Sequence, residues 1–151
     1  MSVYLPAAEP GPQTHRPDQK PDDRSANVLF TAAHRPQGKA AFLFHYPQRW
    51  TLLSSEYALE KCRRNLAVKF PDAVGPMRKL ALQLDRAPQV SGVSPLAGLA
   101  GKDQPIFQAA VAGRCTHLLT GDLRDFGPFM NQPEQTRGLI IQTVADFLAD
   151  C

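Results

Sequence analysis

The sequence lacks any long apolar run. No stretch approaches the about 20 consecutive apolar residues that a helix needs to cross a bilayer,. The chain does not open with a basic segment followed by an apolar one, which a secretory signal would require,. Its three cysteines have neither metal-ligand nor redox spacing. Together these absences predict a reduced, cytoplasmic protein without a membrane span.

Glycine-rich phosphate loops are also missing. Neither GxGxxG nor GxxxxGK[ST] occurs, which argues against a flavodoxin-like regulator,. The four histidines have no paired spacing, and His117 is interpreted as a strand residue rather than a ligand. The formal net charge of +3 is modest. A mildly basic surface is compatible with a phosphate backbone as partner but does not require one.

Proline is concentrated at the start of the chain. Five of the first 24 residues are prolines, set among charged and small residues. Such a segment buries too little apolar area to offset the entropy lost on ordering. Residues 1–24 are therefore predicted to form a disordered tail, followed by one domain of residues 25–151. Val3-Tyr4-Leu5 is the one β-prone triplet in this tail.

Helices and strands are predicted to alternate after the tail. A buried apolar element is expected at 27–33 and a helix at 56–69, with further helices at 39–46, within 71–86, after Asp103 and from 143 onward,. Short β-prone runs predict strands at 50–53, 89–93, 116–120 and 138–142,. Alternation across short loops predicts a parallel sheet that is covered on both faces.

Acidic residues occur where such a sheet would bind a ligand. Asp122 directly follows the strand that ends at Thr120, Asp125 comes three residues later, and Asp103 opens the preceding helix. Ligands of parallel sheets bind beyond the carboxyl ends of the strands. Clustered carboxylates repel one another unless a cation binds, and a hard divalent ion takes oxygen ligands. Helix capping is the alternative role for Asp103 and Asp122.

The stretch that carries these acids resembles a known family. Residues 102–126, with Lys-Asp-Gln-Pro at the start of a helix and Thr-Gly-Asp after a strand, look like the C-terminal half of a PIN domain. Residues 26–33 are similar to the family's first motif, and residues 55–66 to the helix that supplies its glutamate. The resemblance implies a three-layer α/β/α sandwich with a central, mainly parallel sheet. It also implies cleavage of RNA that depends on Mg²⁺ or Mn²⁺.

Partners and residue roles follow from the same resemblance. Many members of the family are toxins held inactive by an antitoxin protein, and many form homodimers. By this resemblance Asp103 and Asp122 are metal ligands, directly or through water. Asp125 is an auxiliary acid, Thr120 lines the site, and Asn27 braces it by hydrogen bonding.

Two family acids have no clear counterpart in this chain. Ser25 stands where the family has its leading aspartate, and a neutral hydroxyl is a weaker ligand for a hard dication,. Lys61 stands at the expected position of the helix acid, with Glu60 one residue away. Weak or absent nuclease activity is therefore expected unless Glu60, Asp22 or Asp23 supplies the missing charge.

The family's apolar first strand is also replaced, here by the Asp-Asp-Arg of residues 22–24. Val3-Tyr4-Leu5 is the candidate substitute for that strand. The alternative function is a catalytically inactive PIN-like module that binds RNA or a protein. Its phosphate contacts would be the basic residues of the helix at 56–69, namely Lys61, Arg63, Arg64 and Lys69.

Overall fold

Five parallel strands form one sheet in the part of the chain that the structure describes. The structure is a computed structural model that describes residues 1–6, 28–87, 92–121 and 123–150. The strands are β1 (Ser2–Tyr4), β2 (Thr51–Ser54), β3 (Asp85–Arg86), β4 (His117–Leu119) and β5 (Ile140–Gln142). Their spatial order is β3-β2-β1-β4-β5, and every pairing is parallel.

Helices cover both faces of the sheet. Over the same ranges they are α1 (Val28–His34), α2 (Lys39–Phe42), α3 (Glu56–Lys69), α4 (Val74–Ala81), α5 (Gln104–Ala112), α6 (Leu123–Phe126) and α7 (Val144–Asp150). One hydrophobic core packs helices α1, α2, α3, α4 and α7 on one face of the sheet. A second core packs α5 and α6 on the opposite face. The predicted α/β/α sandwich with a parallel sheet is confirmed.

Short 3-10 turns complete the helical layers, at Leu43–His45, Pro71–Ala73, Gly101–Asp103 and Gly127–Phe129. Strands β1, β2 and β4 carry buried apolar side chains on both faces, because a covered parallel sheet leaves neither face in water,. In β1 the side chain of Val3 lies in the core that contains α1, whereas the side chain of Tyr4 lies in the core that contains α5. Leu52 and Leu53 of β2 divide in the same way.

The prediction that residues 1–24 form a disordered tail is wrong at its first residues. Ser2–Tyr4 is the central strand, paired with β2 on one side and β4 on the other. The ladder continues past the strand, where the Leu5 amide donates to the Leu53 carbonyl at 2.8 Å and the Ser54 hydroxyl donates to the Leu5 carbonyl at 2.8 Å. The folded domain therefore begins at residue 2 rather than residue 25. Residues 7–24, the remainder of the predicted tail, lie outside the described residues.

Most elements predicted after the tail are present. The helix at 56–69 is confirmed at both ends, and the Ser55 hydroxyl caps it by accepting from the Ala58 amide at 2.9 Å. The strands predicted at 50–53, 116–120 and 138–142 correspond to β2, β4 and β5. The helix predicted at 39–46 is α2 followed by a 3-10 turn, and the buried element at 27–33 corresponds to α1.

The third quarter of the chain differs from the prediction. The helix expected within 71–86 ends at Ala81, and Asp85–Arg86 forms the edge strand β3 beside β2. The strand expected at 89–93 is not formed at Gly92 and Val93, while residues 88–91 lie outside the described ranges. A two-residue, exposed edge strand has almost no apolar pattern of its own, so its position follows from pairing with β2,.

Each of the described helices is too short or too polar to cross a bilayer.

Replacing Leu5 with alanine tests whether the first residues belong to the core. The Leu5 side chain is fully buried, so Leu5→Ala is expected to lower the free energy of unfolding by about 2–5 kcal/mol. Leu82→Ala is the matched control, because Leu82 is 87% exposed and its truncation is expected to change stability by less than about 0.5 kcal/mol. Urea unfolding followed by circular dichroism measures both. If the two variants were equally stable, Leu5 would not belong to the folded core.

Candidate active site

The sheet has a topological switch point between β1 and β4. From β1 the strand order runs outward to β2 and β3 on one side and to β4 and β5 on the other. Connections that diverge in this way leave a crevice beyond the carboxyl ends of the two central strands. Pro6 follows β1 and Thr120 follows β4 at this edge, and both are buried. The fold therefore directs attention to the segments around Thr120 and to the helix that precedes β4.

Asp103 lies at the start of that helix. It closes the 3-10 turn Gly101–Asp103, directly precedes α5, and is only 3% exposed. Pro105 occupies the first turn of α5, where its missing N–H costs no helical hydrogen bond,. Asp103 occupies the N-cap position, but its side chain makes no capping hydrogen bond. Capping, the alternative role for this residue, therefore does not explain a carboxylate here.

Small residues let α5 pack closely on the sheet. Ala109 and Ala110 are buried in the helix, and Gly113 follows its last turn. A Cβ at Gly113 would lie 3.2 Å from the Ala109 carbonyl oxygen and 3.3 Å from Leu53 Cδ2. Both distances are shorter than ordinary van der Waals contact, so a glycine fits best at the base of α5. Close packing there fixes the axis along which Asp103 is presented at the opposite end.

The Gln104 side chain fixes the loop that precedes Asp103, a role that the sequence analysis missed. Its Oε1 accepts from the Leu96 amide at 2.8 Å, and its Nε2 donates to the carbonyls of Leu96 at 2.7 Å and Leu99 at 3.0 Å. Three hydrogen bonds from one side chain pin the preceding loop to the first turn of α5. A glutamine next to a candidate acid has no distinctive sequence signal, because its partners are backbone groups.

An ion pair joins the two acidic segments that the sequence analysis singled out. The Lys102 ammonium lies 3.0 Å from Asp125 Oδ2, and the Asp125 side chain is 19% exposed. Asp125 lies on α6, which is anchored by the buried Phe126. The segment that follows β4 is therefore in contact with the segment that leads into α5. Because a lysine neutralises Asp125, this acid is better suited to positioning the loop than to binding a metal directly.

Thr120 directly follows β4 at this edge. It is 2% exposed, and its amide donates to the Gln142 carbonyl at 3.0 Å, which extends the pairing of β4 with β5 beyond the strand. Asp122, predicted to be the second metal ligand, lies outside the described residues. Ser25 and Asn27 lie outside them as well. The predicted meeting of Asp103 with Asp122 therefore stays a prediction.

Glu60 is engaged at the surface of α3. Its carboxylate accepts from Arg63 Nε at 3.0 Å and lies 3.8 Å from Arg64 Nε, with half of the side chain exposed. The hydrogen bond from Arg63 lowers the pKa of Glu60, which keeps the carboxylate charged and paired. The adjacent Lys61 places its ammonium 5.5 Å from the centre of the Tyr57 ring. This arrangement favours a surface ion-pair role for Glu60 over its predicted role as a site acid.

The described part of the edge fits a dication only in part. Asp103 provides a buried carboxylate, the oxygen type that Mg²⁺ and Mn²⁺ prefer,. Nowhere in the described ranges do three or more His, Cys, Asp or Glu residues form a group that could hold a metal. Asp122, the predicted partner of Asp103 in a metal site, lies outside these ranges.

A double-mutant cycle tests the contact between the two segments. We expect Asp125→Asn and Lys102→Gln to show a coupling energy of about 0.5–1 kcal/mol in urea unfolding, because the pair is partly shielded from solvent. The cycle Glu60→Gln with Arg64→Gln is the control, since that pair is longer and more exposed. A coupling no larger than the control would mean that the ion pair does not hold the two segments together.

Comparisons with known proteins found no relative of this chain. The chain matches no protein-family model, no curated protein and no solved structure.

Proposed function

We propose that the protein is a metal-dependent endoribonuclease of PIN type that acts at the carboxyl edge of its sheet. The observation that carries this proposal is the burial of Asp103 at the start of α5, next to Lys102, whose ion pair with Asp125 reaches the segment that follows β4. A carboxylate at the start of α5 supplies the oxygen type that Mg²⁺ and Mn²⁺ prefer as a ligand,.

Each residue of the edge has a distinct role in this proposal. Asp103 and Asp122 would hold Mg²⁺ or Mn²⁺, which when bound polarises a phosphoryl oxygen and lowers the pKa of a coordinated water. The ion pair of Lys102 with Asp125 keeps the loop after β4 against the start of α5. Gln104 keeps the other side of that segment fixed. Fixed geometry matters because phosphodiester cleavage needs the attacking and leaving oxygens in line.

Partners follow from the same proposal. The substrate is RNA, and the enzyme acts in the cytoplasm. An antitoxin protein that covers the acidic edge would hold the enzyme inactive. A homodimer is part of the proposal by family resemblance.

A second candidate is a PIN-like module that binds RNA or a protein without cutting. The observation that favours it is the engagement of Glu60 with Arg63 and Arg64 on the surface of α3. The other acid of α3, Glu56, accepts from Arg86 Nε at 2.7 Å, so arginines engage both acids of this helix. Fewer carboxylates mean weaker metal binding, which would leave RNA binding without cleavage.

Cleavage of single-stranded RNA in Mg²⁺ or Mn²⁺ tests the proposal. We expect a time course with the wild type to show cleavage that EDTA stops. Asp103→Asn and Asp122→Asn should each lower the rate by about 100-fold or more, because an isosteric amide removes the charge that the metal needs. Asp72→Asn, the same change at an exposed acid in the turn after α3, should cut like the wild type.

Thermal unfolding of each variant separates loss of chemistry from loss of fold. In the wild type we expect Mn²⁺ to raise the melting temperature, since a ligand that binds only the folded state stabilises it. Folded Asp103→Asn should lose that rise. Wild-type protein that binds RNA but neither cuts it nor responds to Mn²⁺ would reject the nuclease and favour the second candidate.

A further inference from the structure

Arg137 has a backbone conformation that an arginine rarely adopts. Its φ angle is +56°, in the left-handed region where a side chain crowds the backbone,. The turn around it is fixed, because the Gly138 amide donates to the Pro133 carbonyl at 2.7 Å and the buried Thr136 hydroxyl donates to the Leu139 carbonyl at 2.6 Å. A glycine would adopt this φ angle without strain. The reason for an arginine at this position therefore lies in the contacts of its side chain.

The guanidinium of Arg137 holds the segment 93–99, which is distant in sequence. It donates to the Ser94 carbonyl, 43 residues away, and to the Pro95 carbonyl at 3.0 Å, 42 residues away. Its central carbon lies 5.4 Å from the centre of the Phe107 ring, which is fully buried in α5. Two neighbouring carbonyls match the planar fork of donors that a guanidinium presents, and the aromatic ring favours one orientation of that fork. Arg137 therefore joins the turn before β5 to the segment and to α5.

Two glutamines of α5 hold the same segment. The Gln108 side-chain amide donates to the Val93 carbonyl at 2.8 Å. The Gln104 side chain accepts from the Leu96 amide at 2.8 Å and donates to the carbonyl of the same residue at 2.7 Å. Leu96 is itself buried in the core that contains α5. Together with Arg137, these two glutamines form a clamp whose side chains bind the backbone of the segment.

The clamp acts on the part of the chain that carries Asp103. The segment continues into the 3-10 turn before α5, where the Asp103 amide donates to the Ala100 carbonyl at 2.9 Å. Gln104 directly follows Asp103, and Phe107 lies about one helical turn beyond it on the same face of α5,. Both residues by which the clamp contacts the start of α5 are therefore within one turn of Asp103.

We propose that Arg137 is a positioning residue that fixes Asp103 for metal binding, an inference that rests on the nuclease function proposed above. An acid that binds a metal has to be held by the residues around it, because a small displacement of a ligand lowers the rate of the reaction. Arg137 acts through the segment 93–99 and through Gln104, without touching the metal or the RNA. Its contacts offset the strain of the left-handed backbone.

Amide hydrogen exchange followed by NMR tests the positioning without cleavage. Arg137→Gly removes the guanidinium and relieves the backbone strain. The Leu96 and Asp103 amides should then exchange about tenfold faster, the usual cost of losing a charged hydrogen bond. Arg114→Gly is the matched control, because Arg114 is exposed and has a φ angle of +55°. It relieves the same strain and should leave both amides as in the wild type. The Phe70 amide at the end of α3 reports any change in global stability.

Steady-state cleavage of single-stranded RNA tests the consequence for the reaction. At a temperature at which both variants are folded, Arg137→Gly should lower kcat about tenfold and leave KM unchanged, because the geometry of the metal ligand is altered and the RNA contacts are not. Arg114→Gly should change neither constant. A purely structural role of Arg137 would lower the melting temperature and leave kcat of the folded protein as in the wild type.

The outcomes separate the two proposals. Wild-type exchange of the Asp103 amide in Arg137→Gly would overturn the positioning role, even if the Leu96 amide exchanged faster. Equally fast exchange in Arg114→Gly would also overturn it, because relief of strain would then be the cause. Faster exchange confined to Arg137→Gly, in a protein that does not cut RNA, would support the positioning and reject the nuclease. Cleavage that depends on Asp103 but not on Arg137 would do the reverse.

Discussion

The pairing of β1 between β2 and β4 is the constraint on which the remaining structure depends. Three residues provide the ladder on both sides, and their side chains alternate between the two hydrophobic cores. Without β1 the sheet would divide into two halves with unpaired central edges,. Full burial makes so short a strand sufficient, because Val3 and Leu5 are each 0% exposed. The same strand defines the switch point of the sheet,.

The candidate acidic residues differ in burial and in pairing. Asp103 is buried at the start of α5, whereas Asp125 is neutralised by Lys102 and Glu60 by arginines of its own helix. Tyr4, at the end of β1, is also buried, and desolvation raises the pKa of its phenol, so it adds no negative charge at neutral pH. Among the described residues, Asp103 is the one acid that is buried.

The segment that follows β4 is held at two described points. The Thr120 amide donates to the Gln142 carbonyl at 3.0 Å, and Asp125 of α6 pairs with Lys102 at 3.0 Å. These contacts fix the described residues on either side of position 122 relative to β5 and to the start of α5.

Local pattern was enough to predict most helices and three strands from the sequence. Ser55 caps α3, apolar spacing runs along it, and Pro105 begins α5, and each of these signals lies within a few residues of its effect. The acids at Asp103 and Asp125, and the edge to which they belong, follow from the same local order of strand and helix. Tertiary structure alone decided that Val3 pairs with Leu52 and with His117, partners far away in sequence. It also decided that Lys102 neutralises Asp125 and that Arg137 binds the Pro95 carbonyl. The composition of residues 1–24 does not reveal the three-residue strand β1. The free energy that orders this strand comes from pairing with the neighbouring strands β2 and β4 and not from the residues next to it in sequence.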